Sequence, residues 1–393
     1  MVHYKKLLSM CAIAAGCFAA GCKEEHVAPL PDSESIPQLV NNVKVINING
    51  GAKVTYAVPP DPNLMYVEAE WEHNKIKRNA KASYYGDTLL LEGFGDTLST
   101  DVTLYSVNKR EIRSAAQHIS IKPLTPPVKL VRDGLKVKPD FGGVNVTFEN
   151  VTGGDIVIVI LAKDANGEMK QLDAFYTGLV RGEYNIRGLK AEPYNFGFYV
   201  KDRWGNISDT LMAELTPLFE AELDKLKFKE LNPYPGDVNG NLYSAAYPMR
   251  LLFDGKTTTI FVTGQTIGLP CSISIDLGVK ANLSRMKYYQ RQSTAFYYSS
   301  ATPEEFEVYG SNSPAPDGDW NSWTLLRKCK SVKPSGLPLG QTSNDDLELA
   351  RAGEDFNFPL STESYRYLRI KLTKTYGNSA NVTFSELSFW GAY

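Results

Sequence analysis

At 393 residues, with 43% hydrophobic and 11% aromatic composition, the chain has enough apolar side chains for two or three cored domains, which excludes a disordered protein. Its 42 Lys plus Arg against 44 Asp plus Glu leave a net charge of -2, so no overall field draws it to nucleic acid. The 22 Tyr, 31 Gly and 22 Pro favour strands and turns over helices.

The N-terminus reads as a targeting segment. Lys5 and Lys6 are a basic start, Leu7 to Ala20 an apolar run, and Ala19-Ala20-Gly21-Cys22 places small residues before a cysteine. This resembles a bacterial lipobox, which implies cleavage at residue 21 and lipidation of Cys22; Ala14-Ala15-Gly16-Cys17 is a second candidate with a shorter apolar run. Lys23-Glu24-Glu25 then resembles the export signal of Bacteroidota lipoproteins, implying an outer-membrane anchor that faces the cell exterior. Residues 22–37, with Pro29, Pro31 and Pro37 among polar residues, read as a tether.

An internal repeat follows. Gly50-Gly51-Ala52-Lys53-Val54-Thr55-Tyr56 matches Gly142-Gly143-Val144-Asn145-Val146-Thr147-Phe148 at an offset of 92 residues, and Pro-containing junctions fall near 125 and 217. Two domains are expected, over 38–125 and 126–217. Alternation in the first puts Met65, Val67, Ala69 and Trp71 on one face of a strand and Tyr66, Glu68, Glu70 and Glu72 on the other, so Trp71 is assigned to a core. In the second, Ile156 to Leu161 is an unbroken apolar run, as in a strand covered on both faces. Length, strand spacing and the Gly-Gly turn make both units resemble fibronectin type III or immunoglobulin-like domains. Residues 218–228 read as one short amphipathic turn leading into a third domain, 218–393.

The third domain carries a more specific pattern. Leu252-Phe253-Asp254-Gly255, Ile273-Ser274-Ile275-Asp276-Leu277-Gly278, Pro303 to Ser311, Tyr365 to Ile370 and the closing Phe384-Ser385-Glu386-Leu387-Ser388-Phe389-Trp390 occur in the order seen in discoidin (coagulation factor type C) domains, which they resemble. The chain is therefore expected to be all-β, three sandwiches in tandem, the last a discoidin-like jelly roll. Phe261 stands where that family usually has Trp, and the terminal disulfide of its animal members is absent.

The resemblance implies a structural calcium held by the carboxylate of Asp254, by Thr259 and by the carboxylate of Glu386, with backbone carbonyls completing the oxygen shell. For sugar, the chemistry needed is an aromatic face plus planar hydrogen-bonding groups. Tyr289, Arg291, Tyr297 and Tyr298 in one loop, Trp320 in a second, and Tyr376 with Asn378 in a third are the candidate ligand-binding residues, converging on one rim. Trp323 and Trp390 fall at strand positions and are assigned to the core. Cys271 and Cys329 allow either a disulfide or two buried thiols.

The 4 His are scattered, and no metalloprotease helix, nucleophile elbow, phosphate loop or paired Cys-x-x-Cys occurs, so no enzyme activity is expected. The leading expectation is a surface glycan-binding lipoprotein that passes oligo- or polysaccharide to an outer-membrane transporter. The alternative is an adhesin or scaffold for a protein partner, and a third is a spacer without a ligand.

Overall fold

The computed structural model describes residues 35–393, apart from 74, 165, 232, 233, 239 and 240. The signal segment, Cys22 and nearly all of the tether lie outside the described residues. Two compact units divide the chain: residues up to 130 with 202–207, and residues 131–201 with 208–393.

The first unit contains seven strands: β1 (Asn41–Ile48), β2 (Gly51–Ala57), β3 (Leu64–His73), β4 (Ile76–Ser83), β5 (Thr88–Glu92), β6 (Thr100–Asn108) and β7 (Gln117–Ile121). They form one sheet of order β1-β2-β5 and another of order β4-β3-β6-β7. The inward residues of both sheets, among them Val54, Val67, Ala69, Trp71, Leu91 and Leu104, make one core, as period-two alternation dictates. On the outer face of β3, Glu68 is also buried, at 1% exposure. Arg113, 2.7 Å away, and Asn79, at 3.0 Å, satisfy its carboxylate.

The second unit opens with the tail of a short helix, α1 (Pro127–Asp133), that strand alternation does not reveal. Its Pro127 stands at the first helical position, where a missing N–H costs nothing. Then come β8 (Lys136–Asp140), β9 (Gly143–Glu149), β10 (Ile156–Lys163), β11 (Met169–Thr177), β12 (Arg181–Ile186), β13 (Tyr194–Asp202) and β14 (Leu211–Leu215). Their sheets, β12-β9-β8 and β11-β10-β13-β14, repeat the strand order of the first unit position by position. The apolar run in β10 is covered as its composition predicts, with Ile158, Val159 and Ile160 all buried. The repeated Gly-Gly turn has a steric cause. Gly50 and Gly142 have positive φ, while a Cβ on Gly51 would meet Leu91 O at 2.0 Å and one on Gly143 would meet Ile186 O at 1.8 Å.

The remainder of that unit is a larger sandwich. Its strands are β15 (Ala221–Glu222), β16 (Lys229–Glu230), β17 (Phe261–Val262), β18 (Cys271–Tyr289), β19 (Pro303–Ser311), β20 (Thr324–Lys330), β21 (Glu354–Asn357), β22 (Tyr365–Thr375), β23 (Thr383–Phe384) and β24 (Glu386–Ala392), with a helix, α2 (Asn344–Ala352), before β21. The path β15-β24-β18-β22-β19-β20 is continuous because β18 changes neighbours: Cys271 to Asp276 pair with β22, and Asn282 to Tyr289 pair with β24. Gly278, with positive φ, lies at the shift. Phe261 is fully buried edge-on against Phe384, ring centres 5.8 Å apart, so it fills the apolar position assigned to it. Residues 218–228 are not an amphipathic turn. They contribute β15, a single 3-10 turn over Lys225–Lys227, and two core side chains, Leu223 and Phe228. Glu220 links the preceding sandwich to the larger one, accepting from Arg187 at 2.7 Å on one side and from Ser284 Oγ of β18 at 2.5 Å on the other.

Candidate functional site

The seven residues expected on one rim separate into different environments. Arg291 follows β18 and leaves the sheet into a loop; its guanidinium lies 3.7 Å over the ring of Phe296 and meets no carboxylate among the described residues. It lines an open hollow of about 240 Å³ together with Tyr243, Tyr247, Phe296, Ser300 and Asn381. Among the described residues no Asp, Glu, His or Cys lines this hollow. Asn378 stands next to it, exposed, in a turn where Gly377 N–H donates to Ser300 O at 2.8 Å.

Tyr297 and Tyr298 are corrections. Both are buried and pack with Ala350 of α2, with Tyr376 partly buried against them. Tyr298 and Tyr376 meet edge-on at 5.5 Å, and the Tyr376 hydroxyl donates to Ser331 O at 2.7 Å. Burial pushes both phenols well up. These three tyrosines fasten α2 to the sandwich and leave little ring surface for a ligand. Tyr289 faces the same side: its ring sits where a Cβ on Gly353, the residue closing α2, would come within 2.7 Å.

Trp320 is half-buried and makes contacts away from that hollow. It belongs to a cage around Arg369, which is 0% exposed. The guanidinium carbon lies 4.0 Å from the Trp320 ring and 5.1 Å from Tyr234. Arg369 Nε donates to Asp237 Oδ1 at 3.0 Å, Nη1 to Gly318 O at 2.7 Å and Nη2 to Pro235 O at 3.0 Å. A buried cation so fully paired is structural. Trp323 is core as assigned, but Trp390 is only half-buried, with the Arg285 guanidinium 3.8 Å above its ring.

For the expected calcium ligands the geometry is mixed. Asp254 accepts from the Thr259 hydroxyl at 3.0 Å and from Lys256 N–H at 2.9 Å. Glu386, 1% exposed on β24, accepts Gly255 N–H at 3.2 Å, which ties the Asp254 loop to the last strand, and its Oε2 is buried without a partner. Its other oxygen is already taken: Lys225 Nζ lies 2.5 Å from Oε1. Burial pushes the Glu386 carboxyl up to about 7, with the ammonium and the Gly255 amide opposing the rise and Asp254 adding to it. Among the described residues no group of three or more His, Cys, Asp or Glu side chains is disposed to hold a metal.

Cys271 and Cys329 are both buried and free, and burial pushes each thiol to about 12. Sequence reasoning missed Tyr243, Tyr247, Phe296 and Asn381. The available signal was the aromatic density of the loop before Leu252 and the placement of Phe296 between Arg291 and the buried tyrosine pair.

Comparison with known proteins divides the chain similarly. Three family models match, each described only as a domain of unknown function: DUF4959 over residues 37–123, DUF5126 over 124–226 and DUF5000 over 252–391. No curated protein matches. Among solved structures, the chain is similar to SusE-like protein BT2857, at 29% identity and a TM-score of 0.44, over 68% of this chain and 99% of that one. It is also similar to a CBM32 module from a family 31 glycoside hydrolase of Clostridium perfringens, at 23% identity and a TM-score of 0.32, over 43% of this chain and 94% of that one. A family 32 CBM from C. perfringens NanJ, in complex with galactose, matches at 14% identity and a TM-score of 0.31, over 44% of this chain and 98% of that one.

Proposed function

We propose that this chain is a non-catalytic, lipid-anchored surface protein that binds glycan in the hollow between Arg291, Phe296, Tyr243 and Tyr247, and passes saccharide to an outer-membrane transporter. The observation that carries the reading is Arg291 itself. A half-buried guanidinium 3.7 Å over an aromatic ring, with no carboxylate partner among the described residues and beside two tyrosines and Asn381, presents planar donors next to apolar faces. A sugar ring needs that combination: C–H bonds stack on the aromatic face while neighbouring hydroxyls accept from the guanidinium and the amide. Among the described residues the lining offers hydroxyls, an amide and a guanidinium for hydrogen bonding to sugar, and no carboxylate or imidazole. The lipobox-like Ala19-Ala20-Gly21-Cys22 supports the anchor, and the two smaller sandwiches are suited to hold the third domain off a membrane.

The test is affinity electrophoresis of the soluble chain without the lipid-bearing Cys22, residues 23–393, across a panel of soluble polysaccharides. Arg291→Ala and Phe296→Ala are expected to weaken binding of the retained glycan by roughly 10- to 100-fold, the worth of a charge-assisted hydrogen bond or a ring stack. A folded chain that no glycan retards overturns the reading and favours a protein partner.

A further inference from the structure

We propose that Lys225 supplies, from within the chain, the positive charge that the Asp254–Glu386 pocket would otherwise take from a calcium ion, so that the third domain is built to fold without metal. Three observations carry this. First, Gly255, the neighbour of Asp254 in the expected calcium loop, donates its amide to Glu386, and Glu386 is buried at the start of the last strand, where an uncompensated charge is costly. Second, Lys225 Nζ lies 2.5 Å from Glu386 Oε1, and its side chain is only 17% exposed. A calcium ion bonded to that oxygen would sit about 2.3–2.6 Å from it. That is the space the ammonium fills, and the two cations exclude each other.

Third, the backbone fixes Lys225 there. Ala221 and Glu222 pair with Gly391 and Trp390 of β24, Leu223 N–H donates to Phe389 O at 2.8 Å, and the Asp224 carboxylate caps Leu226 N–H at 3.0 Å. The side chain leaves this capped turn already aimed at Glu386. The lock thus joins the chain entering the domain, the Asp254 loop and the last strand. A metal ion would join only the last two. It follows that the cation is lost when the domain is cut after residue 225.

The test follows thermal unfolding of the soluble chain, residues 23–393, by calorimetry, in EDTA and in millimolar calcium chloride, with Lys225→Met, Glu386→Gln and the double variant. The wild-type transition of the third domain is expected at the same temperature in both buffers. Lys225→Met is expected to lower it by roughly 6–15 °C by leaving a buried carboxylate unpaired. The double variant should recover most of that fall. A wild-type transition that rises with calcium or falls in EDTA overturns the proposal, as does a Lys225→Met chain as stable as the wild type. Should Lys225→Met not fold, the wild-type comparison decides alone.

Discussion

Replacing Glu354 with glutamine is expected to stabilise the third domain above neutral pH. Glu354 opens β21 at 8% exposure, and the hydrogen bond it accepts there comes from Ser331 Oγ at 2.7 Å. Burial pushes its carboxyl from the ordinary value of 4.5 to about 7, with the Ser331 hydroxyl opposing. Because the folded state holds the proton more tightly than the unfolded state, the stability from this group is fully present below pH 4.5 and is lost as pH rises through 7. A gap of about 2.5 pH units corresponds to about 3 kcal/mol across that window. Glutamine keeps the shape and stays neutral throughout. Glu386, raised to about 7 by its own burial, adds a loss of the same sign to both proteins, so the difference between them isolates Glu354. Calorimetry of wild type and Glu354→Gln at pH 5 and pH 8 should show a near-equal transition at the lower pH and a higher one for the variant at pH 8. Equal pH dependence in the two chains would refute the reasoning.

Arg369→Met is expected to cost about 3–5 kcal/mol, because Asp237 would remain buried without its cation; denaturant unfolding checks this, and a loss below about 1 kcal/mol would show that water reaches the cage. Trp320→Ala should lower stability while leaving retention by a bound glycan unchanged, since its ring covers Arg369, and a selective binding loss would return Trp320 to the ligand site. Gly143→Ala should destabilise the second sandwich by about 1–3 kcal/mol through the 1.8 Å approach to Ile186 O, and a neutral outcome on unfolding would refute that contact. The native soluble chain, residues 23–393, should leave a thiol reagent unreacted, with Cys271 and Cys329 both titrating in denaturant; no thiol in denaturant would mean a disulfide.

The all-β class, the 92-residue repeat, the cores around Trp71 and Ile156 to Leu161, and the discoidin-like strand order were legible because each depends on local periodicity or on turn chemistry. Gly50-Gly51 and Gly142-Gly143 are the clearest case: positive φ at one residue and a close carbonyl at the next demand that pair in any chain making this turn. Which aromatics stay open to solvent was not local. Tyr297 and Tyr298 are as polar as Tyr243 and Tyr247 in sequence, yet α2 closes over the first pair and leaves the second open. Trp320 lies in a turn that composition marks as exposed, but Arg369, 49 positions away, draws it into a cage. The same distance effect places Lys225 on Glu386, 161 residues apart, where sequence offered only two carboxylates and the expectation of a metal. Spacing along a chain states which chemistry is present; only the packed sandwich decides which groups meet, because burial and charge pairing are properties of neighbours in space.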